Sequence, residues 1–80
     1  MIRIAKQTRL APVDIIERAS QFFGQGGQEL TETERNLCCI YFEGTGGHVA
    51  VSVADDSKHR TVEVEAREFE YQAKQFLQKL

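Results

Sequence analysis

"NLCCIYFEGTGGHVAVSV", Asn36 to Val53, decides how this chain folds. Apolar residues alternate on both sides of a glycine-rich segment, Gly44 to Gly47, as is typical of two strands joined by a tight turn. If Glu43 faces His48 in this hairpin, one face of the pair collects only apolar side chains. Those side chains are Cys38, Ile40, Phe42, Val49, Val51 and Val53. The segment therefore predicts both a hairpin and the face of it that is buried.

The two cysteines of this segment, Cys38 and Cys39, are adjacent. Neighbouring side chains of an extended strand point to opposite faces, so a disulfide between them would require a distorted backbone. We therefore expect two reduced thiols, with Cys38 in the core and Cys39 half-buried on the other face. Without C-x-x-C spacing, the pair predicts neither a disulfide framework nor a structural zinc site. Reduced thiols agree with a cytoplasmic location.

Helical periodicity flanks the hairpin on both sides. Pro12 suits the first position of a helix, and Gly24 could end that helix in the left-handed conformation. Because "GQGG", residues 24–27, leaves a helix and no Lys-Ser/Thr follows, it indicates a helix end and not a phosphate-binding loop. The apolar stripe of this helix is Ile15, Ile16, Ala19, Phe22 and Phe23, and that of a second helix is Phe69, Ala73, Phe76, Leu77 and Leu80.

Three further strands complete the pattern. "MIRIAKQ" alternates around Ile2 and Ile4, "QELTETE" has Leu30 as its one large apolar residue, and Val62 and Val64 follow the predicted turn "DDSKH". The charges of "QELTETE" are typical of a sheet edge. The order β-α-β-β-β-β-α predicts an α+β two-layer sandwich, with an antiparallel four- to five-stranded sheet and both helices on one face. The position of the first strand in the sheet stays open.

Size and composition limit the classes of function. Eighty residues predict one domain, 1–80, with little room for an internal cavity. We expect its core to contain Ile16, Phe22, Ile40, Val51, Phe69 and Phe76. The net charge of −2 lacks the basic excess of nucleic-acid-binding proteins. No apolar run approaches the roughly 20 residues that span a membrane, and the charges of "MIRIAKQTRL" do not suit a signal peptide. We therefore expect a cytoplasmic protein with no membrane and no nucleic-acid partner.

The face of the sheet opposite the core carries the candidate functional residues. Tyr41, Glu43, His48, Ser52 and Glu63 share this face in the predicted register. Cysteine catalysis is disfavoured because the cysteine of this face lies two rungs from the imidazole, roughly 13 Å away. Glu43 and His48 form at most half of a metal site, and no H-x-x-x-H spacing supplies the rest. The sequence therefore predicts no catalytic residue, no metal site and no cofactor.

One further aromatic residue lies off the stripe of the second helix. Tyr71 is about 200° from Phe69 on the helical wheel, so core packing does not explain it, and it is a second candidate contact for a partner. The first 27 residues are net positive and residues 28–65 are net negative, which weakly favours self-association or a complementary protein partner.

Two classes of function remain. The first is a non-enzymatic interaction or regulatory module, homodimeric or bound to another protein, that acts through the open face or the edge strand. The second is a small ligand-binding protein or enzyme that uses Tyr41, Glu43 and His48. The first is favoured because the sequence offers no nucleophile with its base and no recognisable metal set.

Overall fold

The computed structural model of the chain describes residues 1–24, 30–55 and 59–80. Its elements are β1 Ile2–Thr8, α1 Pro12–Phe23, β2 Thr31–Arg35, β3 Cys39–Gly44, β4 Gly47–Asp55, β5 Arg60–Arg67 and α2 Glu70–Gln78. The five strands form one open antiparallel sheet in the order β1-β5-β4-β3-β2. Both helices pack on the same face, as the sequence predicts. The first strand lies beside β5 and completes that edge of the sheet.

The hairpin of β3 and β4 has the predicted register. Glu43 faces His48, Phe42 faces Val49, and Ile40 faces Val51. A one-residue slip would place these apolar side chains on the open face, so burial of one face specifies the pairing. Gly46, in the turn, has φ 80°, a conformation that glycine adopts without steric cost.

The core lies between the sheet and the two helices, and it differs from the predicted set in two aromatic residues. Ile16, Ile40, Val51 and Phe76 are buried as expected. Phe22 and Phe69 are only half-buried and pack against the margin of the core. Phe23 is fully buried in the place expected for Phe22, with its ring 5.5 Å from Phe42 and 5.3 Å from Phe76. The rotation of α1 about its axis, set by packing on β3 and β4, selects one of the two neighbouring rings.

Helix α1 begins at Pro12 as predicted, but its end differs from the expectation. Gly24 has φ −83° and ψ −155°, so it is extended and not left-handed. Its N–H donates to the carbonyl of Ser20 at 2.9 Å, and a Cβ at this position would lie 2.5 Å from that oxygen. Glycine is therefore needed here for close approach of the backbone. The rest of "GQGG" and the centre of "DDSKH" lie outside the described residues.

Strand β2 is an edge strand, as its charges predict, although Leu30 lies just before it and is buried. The pairing with β3 shifts at a bulge between Glu32 and Glu34. Arg35 ties this edge to α1 by donating to Glu17 at 3.1 Å and to the hydroxyl of Ser20 at 2.8 Å, and it also donates to Glu32 of its own strand at 2.8 Å. The bulge and these bonds limit strand addition at this edge.

Strand β1 supports the second helix at the other edge. Ile2 and Ile4 pack against the core under α2. The ammonium group of Lys6 donates to the carbonyls of Leu77 and Leu80, each at 3.0 Å. A cation bonded to the last carbonyls of a helix stabilises its C-terminal end.

Candidate functional site

The open face of the sheet is the face opposite the one on which α1 and α2 pack. We define it by the strand residues that alternate with the core-facing ones, which are Arg3, Ala5 and Gln7; Thr61, Glu63, Glu65 and Arg67; His48, Ala50, Ser52 and Ala54; Cys39, Tyr41 and Glu43; and Thr31 and Glu34. Tyr41, Glu43, His48, Ser52 and Glu63 all lie on it, as the sequence predicts.

The middle of the open face consists of small side chains around one aromatic ring. Tyr41 of β3 is half-buried and lies opposite Ala50 of β4, which is also half-buried. One rung away, Cys39 lies opposite Ser52. Cys39 is 8% exposed, although it is not part of the core under the helices. The centre is therefore apolar or weakly polar, with the phenol of tyrosine as its largest group.

A charged cluster borders this centre on β1, β5 and β4. The guanidinium of Arg3 donates to Glu65 at 2.8 Å and lies 3.4 Å from the carboxylate of Glu63. The other carboxylate oxygen of Glu65 lies 3.5 Å from Nε2 of His48. The hydrogen bond from Arg3, with a smaller contribution from His48, holds the pKa of Glu65 below its ordinary value. Glu65 is therefore ionised at neutral pH and links the two basic groups.

The ion-pair partner of the histidine differs from the expected one. Glu43 does face His48 across the hairpin, but the imidazole contacts Glu65 of β5. Glu65 faces Ala50, so it is a diagonal neighbour of His48 and not its direct partner. The alternation of β5 predicts that Glu65 lies on this face, but not the direction in which the imidazole turns.

A shallow depression of about 390 Å³ lies on the β2 side of the open face. Its polar lining comes from Tyr41, Glu43 and His48 together with Thr33 and Glu34 of the bulged edge strand. The hydroxyl of Thr33 donates to the carbonyl of Tyr41 at 3.4 Å, which places it at the rim. Sequence analysis missed Thr33 and Glu34 because a bulge cannot be located from the "TETER" pattern alone.

The two cysteines differ from the prediction in position and in bonding. Cys38 and Cys39 are joined by a disulfide, and Cys38 is exposed and lies outside β3. The backbone N–H of Asn36 donates to the carbonyl of Cys39 at 2.9 Å, which makes Leu37 and Cys38 the turn between β2 and β3. The side chain of Asn36 accepts from the N–H of Cys38 at 3.0 Å and stabilises that turn. Because Cys38 is in a turn, the opposite-face argument for strand neighbours does not apply to it.

Tyr71 lies on the other side of the molecule, on α2, and is 69% exposed. Its hydroxyl accepts from the amide of Gln75 at 3.2 Å. The structure therefore separates Tyr71 from the open-face residues, and one partner surface cannot include both. His59, expected in a polar loop, is exposed.

In the described part of the chain, the open face places no thiol beside an imidazole and holds no metal-ligand cluster. Cys39 and His48 lie two rungs apart in the observed register, and the sulfur of Cys39 is in a disulfide. Within residues 1–24, 30–55 and 59–80, no group of three or more His, Cys, Asp and Glu side chains could hold a metal ion. The same residues include no helix that is long and apolar enough to cross a membrane.

Comparison with known proteins adds no assignment to this geometry. No protein-family model matches the chain, and a search of curated proteins finds no match. The function is therefore argued from the open face itself.

Proposed function

We propose that this protein is a non-enzymatic interaction module that forms a homodimer through its open face. The observation that carries the proposal is the half-buried Tyr41 among small neighbours, Ala50 and Ser52, on a face without a covering layer. Interfaces commonly have such a centre, in which an aromatic side chain buries a large area and keeps one polar atom. Its charged border agrees with the polar rim of an interface.

The dimensions of the face support a weak, reversible dimer. Four strand spacings of about 4.8 Å make the sheet about 19 Å wide, and strands of six to nine residues are about 20 to 30 Å long. The projected area is thus about 500 Å² for each copy. A stable interface of standard size buries about 800 Å² for each partner. We therefore expect a dissociation constant, Kd, in the micromolar range or higher.

The distribution of charge favours a second copy as the partner. Arg3 lies at the β1 edge of the face, and Glu34 and Glu43 lie on the β2 side. A twofold axis parallel to the strands, running between the two facing sheets, would place each β1 edge opposite the β2 edge of the other copy. Arg3, which also pairs with Glu63 and Glu65 of its own copy, would then lie opposite Glu34 of the other copy at both ends of the interface, and this contact supports the twofold arrangement. A cytoplasmic location stays a proposal, and it loses the support of reduced thiols because Cys38 and Cys39 are joined by a disulfide.

The dimer is tested by sedimentation at several protein concentrations. Tyr41→Glu should weaken association about 30-fold or more, because loss of a central aromatic contact costs about 2 kcal/mol or more. Ala50→Lys should also weaken association, although it removes no aromatic ring.

The matched control is Tyr71→Glu, the same substitution on the helical side of the protein. It should leave association unchanged while Tyr41→Glu weakens it. A wild-type protein that stays monomeric at millimolar concentration would overturn the proposal. If Tyr71→Glu weakens association and Tyr41→Glu does not, the contact surface lies on α2 and not on the open face.

A small-molecule site is the second candidate function, and the depression on the β2 side is the observation that favours it. Tyr41, Glu43 and His48 present a phenol, a carboxylate and an imidazole around its volume of about 390 Å³. Pockets for small ligands have volumes of this order. Chemical-shift changes at these residues, caused by a small ligand in a protein that remains monomeric, would favour this function over the dimer.

A further inference from the structure

The turn that joins β2 to β3 places two bonded sulfurs at the surface. Leu37 is 95% exposed, Cys38 is exposed, and Cys39 is the first residue of β3 and is only 8% exposed. The disulfide therefore joins an exposed residue to a buried one. This asymmetry, and not the presence of cysteine by itself, distinguishes the site.

A structural role does not account for this disulfide. A crosslink stabilises a fold mainly by restricting the unfolded chain, and the restriction grows with the length of the closed loop. The sequence separation of Cys38 and Cys39 is one, so the crosslink closes no loop of intervening residues. Three hydrogen bonds already hold the turn in place: from the N–H of Asn36 to the carbonyl of Cys39, from the N–H of Cys38 to the side chain of Asn36, and from the N–H of Val53 to the carbonyl of Cys38 at 2.8 Å. Its chemistry is therefore a better explanation than its mechanical effect.

We propose that the Cys38–Cys39 disulfide is a reversible redox site that exchanges with small dithiols in solution. A thiolate of the dithiol attacks Sγ of the exposed residue Cys38, the S–S bond breaks, and the electron pair leaves on Sγ of Cys39, which takes up a proton. The second thiolate of the reagent then attacks its own sulfur in the mixed disulfide and releases Cys38. The protein gains two electrons and two protons, and the dithiol becomes a cyclic disulfide.

Reduction has a local structural consequence. Reduction removes the crosslink between the turn and β3, while the hydrogen bonds of Asn36 and Val53 keep Cys38 in the turn. Val53 is bonded to the carbonyl of Cys38, so its amide reports on this end of β3. The site borders the open face, but its chemistry does not depend on dimer formation.

The experiment uses the folded wild-type protein, dithiothreitol as the dithiol, and iodoacetamide to mark free thiols for mass spectrometry. Before reduction, the protein should take up no alkyl group. After reduction without denaturant, the protein should take up two alkyl groups per chain. The rate of reduction should be within about tenfold of the rate in denaturant, since the attacked residue is exposed. The amide resonance of Val53 should shift on reduction. It should return when dithiothreitol is removed and oxidised glutathione is added, which takes up the two electrons and two protons and becomes two molecules of glutathione.

Two single variants test which sulfur is attacked. With oxidised glutathione, Cys39→Ser, which leaves the exposed thiol, should form a mixed disulfide at least about tenfold faster than Cys38→Ser, which leaves the shielded one. Equal rates would overturn the assignment of the attacked sulfur. Two free thiols in air-oxidised wild-type protein, or reduction only after unfolding, would overturn the redox site itself.

Discussion

Replacement of Phe76 by alanine tests whether aromatic packing holds α2 to the rest of the fold. Phe76 is 2% exposed, and its ring centroid lies 5.3 Å from that of Phe23 and 5.7 Å from that of Phe22. Loss of a buried phenylalanine costs about 3 to 5 kcal/mol, which includes the cavity that remains. Two lost ring contacts place this variant in the upper part of that range. A domain of 80 residues has a total stability of about 4 to 12 kcal/mol, so Phe76→Ala should remove at least about a third of it.

The assay is urea denaturation followed by circular dichroism. Phe76→Leu, which keeps most of the apolar volume, should lose about 1 to 2 kcal/mol and provides a measurable transition if the alanine variant does not fold. Tyr71→Ala on the same helix is the matched exposed control and should change the free energy of unfolding by about 0.5 kcal/mol or less. A loss below about 1 kcal/mol for Phe76→Ala, with an unchanged dependence on urea, would refute this packing of α2.

The remaining predictions concern the charged cluster, the helix end and the hairpin. Arg3→Gln should raise the pKa of Glu65 toward its ordinary value, as measured by NMR titration of the carboxyl group. Since the lowered pKa stabilises the fold above the pKa of the unfolded chain, the advantage of wild type should be present at neutral pH and vanish as the pH falls through the folded pKa. Lys6→Met should destabilise the protein by about 1 kcal/mol in urea, because the carbonyls of Leu77, in the last turn of α2, and of Leu80, beyond it, each lose one hydrogen bond. Gly44→Ala should cost about 1 to 3 kcal/mol, because the new Cβ would lie 2.7 Å from the ring of Phe69; an unchanged melting temperature would contradict this close contact.

The local sequence pattern by itself determined the type of each element and the pairing of the hairpin. Periods of two and of 3.6 residues are properties of short segments, so they identify strands and helices without knowledge of their partners. The register of β3 and β4 follows for the same reason, because only the pairing of Glu43 with His48 leaves one face wholly apolar. The charges of β2 likewise predicted an edge strand. Tyr41 and Ser52 could be assigned to the open face before any tertiary contact was known.

Only the tertiary structure decided how individual side chains use these faces. Cys38 leaves the strand because the Asn36 side chain and the hairpin bonds form a turn there, and such bonds compete with strand extension in a way that alternation does not show. His48 contacts Glu65 because β5 brings a carboxylate alongside β4, which depends on the order of strands in the sheet. Phe23 is buried more deeply than its neighbour because the rotation of α1 is set by the surface on which it packs. Each outcome depends on contacts between segments that are distant in sequence or on competition between local hydrogen bonds, and periodicity contains neither.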